Sequence, residues 1–190
     1  MNDEKILTLC RAFPGLYLRG IPEDECEQRS KSTFLNGPAK LVMGRAVDGN
    51  PLMISMQWGF EVGDGWFDLI HSLSSDITAL AQQYGLHPYV TQVKEKFGGM
   101  RFHLQFREEV VVKRIKECGI DPETGKWENG ESEYRPGWQE IRARVREATE
   151  ASMKICEKCG APGILIREGW HHVHCRKCEE ALRTEKGGRL

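Results

Sequence analysis

Cys156-Glu157-Lys158-Cys159 and Cys175-Arg176-Lys177-Cys178 are two C-x-x-C pairs with 15 residues between them. This spacing lies in the range of a four-cysteine zinc site. Two intervening residues let a tight turn aim both sulfurs at one ion about 2.3 Å away. Gly160 follows Cys159 and tolerates the positive φ such a turn needs. Ile164-Leu165-Ile166, a turn at Arg167-Glu168-Gly169 and the run Trp170 to His174 read as a hairpin between the pairs. RKCEEALRTEK then supplies good helix formers. Knuckle, hairpin and helix make residues 151–190 a treble-clef-like zinc finger with four cysteine ligands. The compact ribbon pattern favours one Zn2+ over an iron–sulfur cluster. Redox C-x-x-C motifs come singly beside a βαβ unit, which is not the pattern here. Four protein ligands close a tetrahedron and leave no open position, so the metal reads as structural. Such binding supplies on the order of 10 kcal/mol to a small appendage.

The chain has seven cysteines in 190 residues, an odd number that excludes a fully paired disulfide framework. Cys10, Cys26 and Cys118 lack the histidine spacing of a nucleophile and read as ordinary buried or half-buried thiols. No run approaches the roughly 18 apolar residues of a membrane span. The start, MNDEKILTLCRAF, lacks a signal-peptide pattern. A reducing cytoplasm is the expected setting, without a membrane partner.

Residues 1–150 read as an α+β body of helices packed on antiparallel β-hairpins. Ile6, Leu7, Leu9, Cys10 and Phe13 mark a short first helix, ended by Pro14-Gly15. Residues 20–39 read as a surface connection. Two apolar runs around Asp48-Gly49-Asn50 predict a hairpin. Asp64 is placed to cap a helix whose stripe runs from Trp66 and Phe67 through Ile70, Leu73, Ile77, Leu80 and Ala81 to Tyr84, with Gly85 as its stop. Residues 89–107 form a hairpin around Gly98-Gly99. Alternation puts Tyr89, Val93, Phe97, Met100, Phe102, Leu104 and Phe106 on one face. The other face carries Gln92, Lys94, Lys96, Arg101, His103, Gln105 and Arg107. Residues 108–118 admit a helix, against the β-branched run Val110-Val111-Val112. Residues 119–137 read as an exposed excursion with little periodicity. Trp138, Ile141, Val145 and Ala148 mark a last body helix that runs into the finger.

The formal net charge of −1 excludes a uniformly basic binder, but it is unevenly spread. Residues 151–190 hold 8 Lys+Arg and 5 Asp+Glu, against 19 and 23 in the rest. Four thiolates with Zn2+ add a net −2, which leaves the finger close to neutral. The basic hairpin face (Lys94, Lys96, Arg101, His103 and Arg107) is therefore the better candidate patch for nucleic acid or an acidic protein. Trp127, in the polar excursion, is a candidate hot spot. His171, His172 and His174 admit three readings: a polar strand, a replacement metal ligand, or nuclease chemistry on the finger. The helix that follows offers Glu179 and Glu180 but no Asn or His, which disfavours the last. No Walker A loop, G-x-G-x-x-G, H-E-x-x-H or G-x-S-x-G motif occurs.

Three segments, GDGWFDLIHSLSSDI, TQVKEKFGGMRFH and ASMKICEKCGAPGILIREGWHHVHCRKC, resemble in this order a set of small bacterial and phage-borne zinc-finger proteins of undefined function. Where relatives often carry histidine as the last ligand, this chain has Cys178. The resemblance implies a mobile-element or host-cytoplasm setting and no particular activity. The combined expectation is a non-enzymatic zinc-binding interaction protein that modulates or inhibits a host macromolecular complex. Direct nucleic-acid binding is the alternative, and a metal-dependent nuclease comes after it.

Overall fold

The computed structural model describes residues 1–18, 41–45, 51–53, 56, 59–116, 118–120, 127–128 and 131–187. The expected surface connection at 20–39, the turn Asp48-Gly49-Asn50, Cys26 and Trp58 lie outside these residues.

Helix α1 (Asp3–Ala12) begins where the Asn2 side chain accepts from the Lys5 N–H, with Asp3 and Glu4 favouring the positive helix end. It buries Ile6, Leu9 and Cys10. Pro14, rather than opening a loop, starts the single turn α2 (Pro14–Tyr17), where its fixed φ suits a first helical position. Strands β1 (Leu41–Arg45) and β2 (Pro51–Met53) pair antiparallel, as the sequence predicts.

Helix α3 (Phe67–Tyr84) follows the stripe expected of it, burying Ile70, Leu73, Ser74, Ile77 and Ala81. Gly85 ends it in the left-handed region. Asp64 does not cap α3. A 3-10 turn over Asp64–Trp66 leads in, and the Asp64 carboxylate accepts from the Asn2 N–H and Nδ2 instead. Asp64 thereby clasps the N-terminus to the body.

The central sheet has the order β3 (Phe60–Glu61), β4 (Pro88–Lys96), β5 (Gly99–Phe106). Strands β4 and β5 form the expected antiparallel hairpin, while the short β3 adds a parallel edge beside Val93 and Lys94. Two details depart from strict alternation. The turn residues are Phe97 and Gly98, both with positive φ, and Lys96 pairs with Gly99. This two-residue loop matches the strand twist, and it leaves Phe97 60% exposed instead of in the core. A bulge between Val90 and Gln92 puts one extra residue into β4. Pro88 and Val90 are therefore buried, and Tyr89 turns aside to hydrogen-bond Gln105 Oε1.

The described residues of 108–118 are not helical. Val111–Lys116 is strand β6, as its β-branched run favours. The excursion contains strands as well: β7 (Gly119–Ile120) pairs with β8 (Trp127–Glu128), and β9 (Glu131–Tyr134) pairs with β6. Helix α4 (Trp138–Ser152) packs on α3 and β5 through Ile141 and Ala148. Trp138 is half-buried and stacks on Tyr134 at 3.8 Å between ring centroids. Strands β10 (Ile164–Ile166) and β11 (His172–His174) pair antiparallel, and α5 (Arg176–Gly187) completes the described chain.

One hydrophobic cluster joins α1, α2, α3, the central sheet and α4 around fully buried Trp66. Among the described residues, no helix is long and apolar enough to cross a membrane.

Candidate metal centre

The four cysteines of the two C-x-x-C pairs come together, with all sulfurs within 4.8 Å of one another. Cys159 and Cys175, from different pairs, lie 3.6 Å apart at sulfur. Ligands about 2.3 Å from a tetrahedral metal sit about 3.8 Å from each other, so the cluster has the dimensions of a four-thiolate centre. Cys156 and Cys159 sit on a knuckle closed by the Gly160 N–H donating to the Cys156 carbonyl. Gly160 has φ of 79°, as its place after the second cysteine requires. Cys175 and Cys178 flank the first turn of α5.

The electrostatics ask for a cation. The Cys178 backbone N–H, backed by hydrogen bonds from neighbouring thiols, brings the Cys175 thiol down to about 7. Burial and the adjacent sulfurs push Cys178 up to about 12. Thiols packed this closely do not all ionise beside one another unless positive charge sits among them. A divalent metal would supply it, and the donor set suits a soft or borderline ion.

The finger is fixed to the body by the two glycine-rich motifs of the sequence. The Glu157 carbonyl accepts from Gly65 N–H at 2.7 Å, and its carboxylate accepts from Gly63 N–H at 2.8 Å. Trp66 Nε1–H donates to the Ile155 carbonyl. A Cβ on Gly65 would lie 2.1 Å from the Cys156 oxygen, and one on Gly98 would lie 2.1 Å from Leu165 Cδ1. These glycines permit close approach, a role that sequence spacing does not reveal.

The remaining cysteines divide. Burial raises the Cys10 thiol to about 12, so it is a packing residue. Cys118 is exposed, unlike the buried or half-buried thiol expected.

The basic hairpin face is only partly contiguous. Lys94 stands opposite Arg101, and Gln92 opposite His103. Burial, then the charges of Lys94, Arg101 and Arg142, hold His103 below its ordinary value. Arg142 belongs to α4, and with Arg146 it joins Arg101 and His103 around a cleft of about 250 Å3. Sequence reasoning missed these two arginines, although their i, i+4 spacing on a helix was visible. Lys96 sits at the turn, its ammonium 5.3 Å from the Phe97 ring. Arg107 lies past the end of β5, lining another cleft with Phe13 and His87. Trp127 opens β8, opposite Ile120.

The histidine strand does not present all its rings to solvent. His172 and His174 turn toward Glu179, with side chains 16% and 7% exposed. His172 Nε2 and Arg183 Nε–H approach the Glu179 carboxylate at 2.8 and 3.0 Å. Trp170 is 77% exposed, with its Nε1–H directed at Glu95. No family model, no curated protein and no solved structure matches the chain.

Proposed function

We propose that this chain is a non-enzymatic interaction protein: a zinc-stapled finger of treble-clef type, set against an α+β body whose basic face engages an acidic macromolecular partner. The four-thiol cluster supports a structural Zn2+, since four protein sulfurs leave no position for substrate. The order knuckle, β10–β11 hairpin and α5 supports the treble-clef reading. The partner class follows from the mobile-element resemblance: a host complex that such a protein modulates or inhibits in the cytoplasm. Lys94, Lys96, Arg101, His103, Arg107 and Trp127 remain the proposed contacts.

The observation that carries the basic face is its extension onto a second element. Arg142 and Arg146 of α4 converge with Arg101 and His103 of β5. A row of this kind also favours the second reading, direct binding of nucleic-acid phosphates. Paired charge reversals, Lys94→Glu with Arg101→Glu and Arg142→Glu with Arg146→Glu, test both readings. Loss of binding to a purified host complex in both pairs, with the fold intact, supports the first. If nucleic acid is the partner, affinity falls steeply with salt. Four phosphate contacts predict a log–log slope of about −3 to −4. Phosphate beside His103 would lift its proton affinity from the low value of the free protein. Binding then takes up a proton, so affinity rises as pH falls below the ordinary histidine range, and His103→Gln flattens that response. A salt-independent response excludes nucleic acid, and unaltered binding in both charge reversals excludes this face.

A further inference from the structure

His172 Nδ1 lies 2.7 Å from the Trp170 carbonyl oxygen. A carbonyl only accepts, so that nitrogen carries a proton, and in a neutral ring it is the only one. The other nitrogen, Nε2, is then bare, yet it faces Glu179 Oε2 at 2.8 Å. His174 Nδ1 approaches the same oxygen at 3.2 Å. Lone pairs brought this close need positive charge between them, either a proton or a metal ion.

We propose that His172, His174 and Glu179 form a second divalent-metal site on the finger, separate from the four cysteines. The three donor atoms lie within 4.8 Å of one another. Donors around a tetrahedral zinc, about 2.0–2.1 Å from the ion, sit about 3.3 Å apart, so a small contraction or expansion accommodates it. The supporting groups are already in place. The Trp170 carbonyl holds the tautomer that leaves His172 Nε2 free to ligate. Arg183 Nε–H donates to Glu179 Oε1 at 3.0 Å, leaving Oε2 for the ion. Outer contacts of this kind orient histidine and carboxylate ligands in metal sites.

Two imidazoles and one carboxylate select a borderline ion such as Zn2+ over Mg2+ or Ca2+, which take oxygen ligands. Unlike four cysteines, three protein ligands leave a position for water or another exchangeable ligand. His174 and Glu179 line a cleft of about 850 Å3 between β10 and α5, which gives that ligand an entry path. The site stands apart from the proposed binding function and does not depend on it.

The test is metal stoichiometry in the full chain. Protein stripped of metal and kept reduced is titrated with Co2+, followed by absorption. The first equivalent fills the four-thiol centre and brings sulfur-to-cobalt charge transfer. The second, weaker equivalent adds ligand-field absorption without further sulfur charge transfer. His172→Ala and Glu179→Gln each retain the first equivalent, which reports an intact finger, and lose the second. Wild-type protein that saturates at one equivalent overturns the site and leaves an imidazolium–carboxylate pair in its place. Persistence of the second equivalent in both variants overturns it equally.

Discussion

Single residues decide how the finger meets the body. Gly65 admits the Cys156 carbonyl and the Gly160 nitrogen where a Cβ would stand, at 2.1 and 2.4 Å. Both neighbours are backbone, so a methyl group cannot be accommodated by a rotamer change. Gly65→Ala should destabilise the protein by about 1–3 kcal/mol, the usual cost of overpacking. Gly15 is the control. It lies in α2 with open space where its Cβ would be, and Gly15→Ala should be neutral or stabilising by about 0.4–1 kcal/mol. Urea midpoints of the two variants check the contrast; equal effects would mean that the close approach at Gly65 is not maintained in solution. Phe97 makes the same point from the other side. Its φ of 58° is unusual for a bulky residue, and the two-residue turn imposes it.

At the scale of elements, strand pairing replaces the helix expected of residues 108–118, and the exposed excursion expected of 119–137 contains strands among its described residues. Strand β6 ends at Lys116, opposite Glu131 of β9, so β7 and β8 form an outgrowth on an otherwise complete hairpin. Joining Lys116 to Glu131 through Asn-Gly should therefore preserve the body. A two-residue turn suits that pairing. Thermal unfolding of this variant should stay within about 0.5 kcal/mol of the parent, as for changes away from core and caps. Partner binding should weaken, because Trp127 is removed. Unchanged binding would remove Trp127 from the proposed contact surface while leaving the basic face standing. Helix α4 shows why a linear motif understates a surface. Its apolar side faces α3 and β5, and this packing carries Arg142 and Arg146 to the hairpin charges.

For the molecule as a whole, the four-cysteine cluster and the hydrophobic core meet at Trp66. Its ring is fully buried in the core, while its Nε1–H binds the Ile155 carbonyl, next to the first ligand. Gly63 and Gly65 add two further hydrogen bonds to Glu157. Metal removal should therefore reach beyond the finger. Four-thiolate sites supply on the order of 10 kcal/mol, so chelation should loosen the finger outright. The body should then melt at a lower temperature, with altered near-ultraviolet dichroism from Trp66. A body transition that chelator leaves in place would show the two parts to be energetically independent.

The four-cysteine cluster, the α3 stripe, the β4–β5 hairpin and the finger hairpin were legible in the chain because each rests on local spacing. Paired cysteines, a 3.6-residue period and turn residues carry their meaning within about 20 positions. Other features were not local. The bulge that turns Tyr89 aside, the parallel β3 edge, the strands of 111–134 and the clasp of Asp64 on Asn2 depend on partners distant in sequence or on register. The approach of Glu179 to His172 and His174 was likewise hidden, since β11 and α5 meet only after the cysteines converge. By itself the sequence determined a four-cysteine centre and an α+β body. Tertiary structure alone decided that the glycine motifs seat that centre, that α4 completes the basic face, and that two histidines share one carboxylate. Local backbone preference sets the first group; the second needs long-range packing to bring its members within reach.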